Sequence, residues 1–136
     1  MPELSESEQA LARRLIDEVD AFNVRVAGRG DFDEFVLSET DGDGELAGGA
    51  YGWRWGGTCW LETLWVREDV RHQGIGSRLL AAVEDEARRH GCPRLALETH
   101  TFQAPDFYAA HGFQEVGRLP DYPEGHAKLM LLKRLT

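Results

Sequence analysis

A mixed α/β (α+β) fold, with a mostly antiparallel central sheet, one parallel strand pair and flanking helices, is predicted by three features of the sequence. Tyr51, Trp53 and Trp55 alternate onto one face of a strand over Leu46–Trp55, and Gly56-Gly57 turns the chain into a further, largely apolar strand over Thr58–Val66, which describes an antiparallel hairpin. Gly74–His90 then carries Ile75, Leu79, Leu80, Val83 and Ala87 at helical spacing. A further apolar strand, Arg94–Thr101, follows it, and a strand–helix–strand crossover sets Thr58–Val66 and Arg94–Thr101 parallel.

The remaining elements fall into place in chain order. Ser5 and Glu8 have capping-box spacing, and Leu11, Leu15, Val19 and Phe22 repeat behind them, which predicts a helix over Ser5–Val24 that covers one sheet face. Phe35–Thr40 reads as a strand that ends at Asp41-Gly42-Asp43-Gly44. That acidic turn lacks the ligand spacing and closing glutamate of a calcium loop, the latter position being Gly52, so it is read as a hairpin turn. On the solvent side of the helix over Gly74–His90, Glu84/Arg88 and Asp85/Arg89 are expected as ion pairs, and Gly91 stops the helix. Gln103–His111 is a short helix, and Phe113–Leu119 and His126–Leu135 form a closing strand pair.

With 136 residues there is room for one core, so residues 1–136 are expected to form a single domain. No apolar run approaches the roughly 20 residues that cross a bilayer, and the first residues are polar and acidic, unlike a secretory signal, so a cytoplasmic protein without a membrane role is expected. Cys59 and Cys92 have neither zinc nor redox spacing and are read as reduced thiols. No histidine pair or carboxylate triad surrounds a metal, so none is expected. A net charge of -9 argues against a nucleic-acid surface and favours cationic partners.

The functional signal is Arg71-His72-Gln73-Gly74-Ile75-Gly76-Ser77, set between an apolar strand and an amphipathic helix. Gly74 and Gly76 let a phosphate approach the backbone, and the helix they open offers unpaired N–H groups and the positive end of its dipole. A nucleotide P-loop would need a lysine after its second glycine, where Ser77 and Arg78 stand, and a dinucleotide loop would need a third glycine where Leu79 stands. The pattern Arg71-x-x-Gly74-x-Gly76 after Leu64-Trp65-Val66 resembles instead the coenzyme A pyrophosphate loop of the GNAT superfamily of N-acetyltransferases. Tyr108, Gly112 and Phe113 are similar to the Tyr-x-x-x-Gly-Phe segment after that superfamily's fifth strand, and the resemblance covers roughly Phe35 to Leu135. The family's first strand has no room here, since only Met1 to Leu4 precede the capping box.

The resemblance implies a splayed parallel strand pair whose free backbone groups, at Trp65 and Val66, hold the pantetheine arm of acetyl-CoA. Arg71, His72, Gln73, Gly74, Ile75, Gly76 and Ser77 would hold its pyrophosphate, with Arg71 on a phosphate oxygen and the amides of Gln73–Ser77 supplying most of the binding. Tyr108 matches the tyrosine beside the cofactor sulfur and is the candidate acid. Glu62, read by alternation onto the face of Leu64 and Val66, is the first candidate base, and Glu98 the second. The amide near Val66 would polarise the thioester carbonyl. Phe22, Asn23, Trp53, Trp55 and His126 are candidate acceptor contacts. The implied activity is acetyl transfer to the primary amine of a small molecule by direct attack in a ternary complex, in a monomer or homodimer. A protein lysine or N-terminal acetyltransferase and a non-catalytic acyl-CoA module are the alternatives.

Overall fold

The computed structural model describes residues 3–135, which divide into two units, one up to Asp31 and one from Phe32 onward. The first unit is helix α1, Glu6–Ala27. Ser5 caps it as expected: the Ser5 hydroxyl accepts from the Glu8 amide at 3.2 Å and the Glu8 carboxylate accepts from the Ser5 amide at 2.9 Å. Arg13–Asp17 and Arg14–Glu18 pair one turn apart, and Gly28, at φ 68°, closes the last turn. Within its own unit the apolar stripe has no partner surface. No residue of α1 is buried, and Leu11, Leu15, Val19 and Phe22 are 58, 58, 57 and 52% exposed. Periodicity marks which side of a helix is apolar, whereas burial requires a partner surface. The reading that no strand fits ahead of the capping box rests partly on Met1 and Pro2, which lie outside the described residues.

The second unit is built on a six-stranded sheet in the order β1-β2-β3-β4-β6-β5. Its strands are β1 Asp33–Thr40, β2 Leu46–Trp55, β3 Thr58–Val66, β4 Arg94–His100, β5 Gln114–Pro120 and β6 Ala127–Arg134. All neighbours are antiparallel except β3 and β4, as the crossover demands. The Asp41 carboxylate accepts the amides of Asp43 and Glu45, which closes the acidic turn after β1.

Helix α2, Ile75–Arg89, connects β3 to β4 and lays Leu80, Val83 and Ala87 against Cys59, Leu61, Leu95 and Leu97 of the sheet. Burying each Leu or Val side chain contributes roughly 1.5–3 kcal/mol, so this layer anchors the loop that precedes α2. On its outer side Arg88 pairs with Glu84 as predicted, at 3.6 Å, but Arg89 reaches Glu86 rather than Asp85. Glu86 also receives Arg54 at 3.1 Å and is the less exposed carboxylate, so it gathers the charge. Arg54 itself is buried, bonded to Asp33 as well, with its guanidinium 5.5 Å from the Phe35 ring. The short helix α3, Pro105–Ala110, delivers Tyr108 into the core beside Phe113.

Candidate active site

The site starts from an extra residue in β3. Pairing of β2 with β3 runs Tyr51↔Thr63 and then Gly52↔Leu61, which leaves Glu62 as the bulged residue. Gly52 is required there, because a Cβ would lie 2.1 Å from the Trp60 carbonyl oxygen and 2.9 Å from Phe35 Cζ. Leu61 is also the last β3 residue paired with β4, opposite Leu97. The two parallel strands separate from that point.

The bulge shifts side-chain parity. Leu61, and beyond the bulge Leu64 and Val66, pack into the apolar clusters that include α2, a set that strict alternation would have divided between two faces. This corrects the expectation that Glu62 shares the face of Leu64 and Val66. Glu62 lies instead on the side of Trp60, whose indole Nε1–H donates to Glu62 Oε2 at 2.7 Å. Glu98, the other carboxylate, is tied to Lys128 Nζ at 2.5 Å.

Backbone direction follows from the ladder. The Arg67 amide donates to the Ala47 carbonyl at 2.8 Å, so the groups of Val66 and Leu64 turn away from β2 and toward the gap left by β4. Trp65, between them, directs its backbone to Gly49 on β2, which corrects its assignment to the cofactor edge, although its side chain is 43% exposed. The Val66 carbonyl is already used: Arg71 Nε donates to it at 3.0 Å. Of the two Val66 groups proposed for the cofactor, the N–H remains.

The gap holds a cavity of about 250 Å3 lined by Leu61–Leu64, Leu97–Thr99, Gln103, Ala104 and Tyr108. A second cavity of about 210 Å3 shares Leu61, Glu62, Glu98 and Gln103 with it and adds Trp60, His100 and Lys128. Tyr108 and both candidate bases therefore meet at one opening, although they come from α3, β3 and β4. Burial pushes the Tyr108 phenol up to about 12. Trp53 and Trp55 stand on β2 and His126 precedes β6, where it meets Phe102 edge-on at 4.9 Å; none of the three lines either cavity. Phe22 and Asn23 lie on α1, in the other unit.

Beyond Val66 a short 3-10 turn, Glu68–Val70, leads into the glycine loop. His72, at φ 66°, and Gly74, at φ 85°, take left-handed backbone on either side of Gln73, and Gly74 caps α2. The amides of Gln73 to Ser77 have no protein acceptor among the described residues. They line the start of α2, where the dipole is positive. The Ile75 side chain is buried against Ala47 and Leu79, so only its backbone is available to a ligand.

Three further groups at these sites escape sequence reasoning. Trp60 holds Glu62, Lys128 holds Glu98, and Arg78 places Nη1 3.4 Å from the Gln73 carbonyl oxygen while pairing with Glu39 of β1. Arg78 sits one residue past Ser77 and could have been noticed; Trp60 and Lys128 depend on the bulge and on β6 lying beside β4. No disulfide joins Cys59 and Cys92, and both are buried.

A strand pair opened by a bulge and continued by an amide-lined helix start is the frame that the glycine and tyrosine motifs suggested. Residues 4–113 match the acetyltransferase (GNAT) family. The blasticidin-S acetyltransferase of Streptomyces morookaense is 43% identical over 96 residues, 68% of each chain. An acetyltransferase of Agrobacterium fabrum is 32% identical over 132 residues, 96% of each chain. The crystal structure of an acetyltransferase from Bacillus cereus superposes with a TM-score of 0.80 at 30% identity, covering 99% of this chain and 96% of that one. The chain belongs to the GNAT family of acetyltransferases, and the protein is an acyltransferase.

Proposed function

We propose that the protein transfers an acetyl group from acetyl-CoA to the primary amine of a small molecule, by direct attack within a ternary complex. The observation that carries this reading is the edge of β3 beyond Leu61, unpaired with β4, running straight into a loop whose amides lack protein partners among the described residues. A linear carrier with amides at one end and a diphosphate at the other fits that sequence of groups.

Acetyl-CoA supplies, when bound, an acyl thioester. The amides of Gln73–Ser77 bind the pyrophosphate as oriented dipoles, and the guanidinium of Arg71, braced on the Val66 carbonyl, adds charge beside them. The outward Val66 N–H takes a pantetheine carbonyl in the manner of an added strand. Leu64 lies two residues further from the phosphate loop, where the acyl end falls, so its N–H polarises the thioester carbonyl.

Glu62 accepts the proton of the entering ammonium, directly or through one water. The Trp60 N–H occupies Oε2 and leaves Oε1 for that task. Glu98 is the weaker candidate because its charge is already matched by Lys128. Tyr108 stays neutral at working pH, being pushed up to about 12. It donates its O–H to the developing sulfur charge, and the departing thiolate takes up the second proton that the attacking nitrogen loses as the amide forms. Cavities of about 250 and 210 Å3 suit the reactive end of a small amine, and one relative is named for acetylating blasticidin-S.

Calorimetric titration with coenzyme A should give a one-site isotherm, and a thiol-release screen with acetyl-CoA over an amine library should find an acceptor. Tyr108→Phe should lower kcat by about 10–100-fold, as for loss of one oxyanion-type donor, with coenzyme affinity kept within about twofold. Glu62→Gln should lower it by about 100-fold or more. Absence of coenzyme heat would end the proposal, and unchanged turnover in both variants would remove the assigned roles.

A further inference from the structure

The ammonium of Lys128 is placed where a cationic acceptor would be recognised. Lys128 projects from β6, diagonally across from Glu98 on β4, and its Nζ lies 2.5 Å from Glu98 Oε2. The same Nζ is 5.3 Å from the centre of the Tyr122 ring. A carboxylate and an aromatic face together form a recognition site for an ammonium group. Tyr122 is held from behind: its ring stacks on His100 at 6.0 Å and 5°, and its carbonyl accepts a hydrogen bond from His100 Nδ1 at 3.0 Å. His100 in turn stacks on Phe102 at 5.1 Å.

This built cation site belongs to the acceptor mouth. Lys128, Glu98 and His100 line the same cavity as Glu62 and Trp60. The Lys128 ammonium is held in its charged form, by the Glu98 hydrogen bond foremost, with Glu62 contributing from across the opening. Of the two carboxylates at the mouth, Glu98 is bonded directly to the Lys128 ammonium, whereas Glu62 is bonded to the neutral Trp60 indole and meets the Lys128 charge only at a distance.

We infer that Lys128 is a specificity-determining residue, a tethered cation that fills the second ammonium site of the mouth and restricts the acceptor to amines bearing a single positive charge there. The inference rests on the acceptor site proposed above. A diamine entering with one nitrogen at Glu62 would bring its second nitrogen toward Glu98 and Tyr122, where it meets Lys128 and is repelled. Removing the Lys128 charge frees both groups for the second nitrogen.

The test compares 1,5-diaminopentane with pentylamine, titrated calorimetrically into the coenzyme A complex at fixed, low ionic strength. Lys128→Met should bind the diamine about tenfold more tightly than the wild type, while pentylamine changes by less than about twofold. Lys128→Arg, which keeps the charge, should behave as wild type. Adding Glu98→Gln to Lys128→Met should abolish the gain. Arg118→Gln, which removes a positive charge paired to Glu115 outside the mouth, should show no gain and controls for a general change in field. The inference is overturned if Lys128→Met shows no selective gain for the diamine, including the case in which neither protein binds either amine, or if Arg118→Gln gives the same gain. Binding is read without turnover, and coenzyme affinity is measured first, so failure of the acetyltransferase reading is seen separately.

Discussion

The Trp60–Glu62 pair illustrates how much of the chemistry rests on single atoms. A carboxylate at the edge of a cavity rotates among several positions, and one indole N–H at 2.7 Å selects one of them. Trp60→Phe keeps an aromatic ring and removes the donor. A hydrogen bond to a charged group contributes about 1.5–3 kcal/mol, so kcat should fall by about 10–100-fold. Because Trp60 acts through Glu62, KM for the coenzyme and the unfolding temperature should stay level, and Glu62→Gln should make the further loss of the Trp60 donor nearly silent. A parallel rise in KM and fall in stability would mean that the indole only fills space. Glu62 was legible in the sequence as a carboxylate on a central strand; its orientation was not, since alternation assigns faces only while the strand remains regular.

At the scale of elements, the bulge between β2 and β3 decides the site. It ends pairing with β4 at Leu61, rotates Leu64 and Val66 toward α2, and turns their N–H groups to the gap. Gly52 permits it by leaving space for the Trp60 carbonyl and the Phe35 ring. Gly52→Ala places a Cβ 2.1 Å from a backbone oxygen, which no rotamer change relieves. We expect a loss of about 3 kcal/mol or more, toward the upper end for overpacking, and a coenzyme Kd raised by at least about tenfold as the strand edge shifts. Denaturant unfolding and calorimetry check the two halves; a stable variant with unchanged Kd would show that the splay does not depend on this close approach. The strands themselves were readable to the residue for Leu46–Trp55 and Thr58–Val66, because the Gly56-Gly57 turn separates them and both are rich in aromatic and apolar residues, with Tyr51, Trp53 and Trp55 alternating in the first. The extra residue was hidden, since a bulge leaves no signal in a pattern that includes Thr63 and Trp65.

For the whole molecule, two neutral groups buried in the core contribute stability that is lost in alkali. Burial pushes the Cys59 thiol from its ordinary 9.0 up to about 12, and the Tyr108 phenol from 10.0 up to about 12. Both folded values exceed the unfolded ones, so the contribution is complete below pH 9 and is lost as pH rises from 9 through 12. The unfolding temperature should be level between pH 7 and 9 and fall above it. Cys59→Ala should begin lower at neutral pH, by about 1 kcal/mol of lost packing, yet hold its value further into the alkaline range. A fall that starts at the same pH in both proteins would assign the alkaline limit to other groups.

The sequence by itself determined the order of elements, the parallel setting of β3 and β4, the glycine loop at the start of α2 and the tyrosine of α3. The order of elements follows from short-range rules of periodicity, capping and turn chemistry, the parallel setting from the strand–helix–strand crossover, and the loop and the tyrosine from their likeness to the family's motifs. Only the tertiary structure decided that Trp65 turns its backbone to β2, that Trp60 and Lys128 claim the two carboxylates, and that Arg71 is braced on Val66. Each of these depends on groups brought together by strand register and by a single bulged residue, and a register slip of one position would exchange them all.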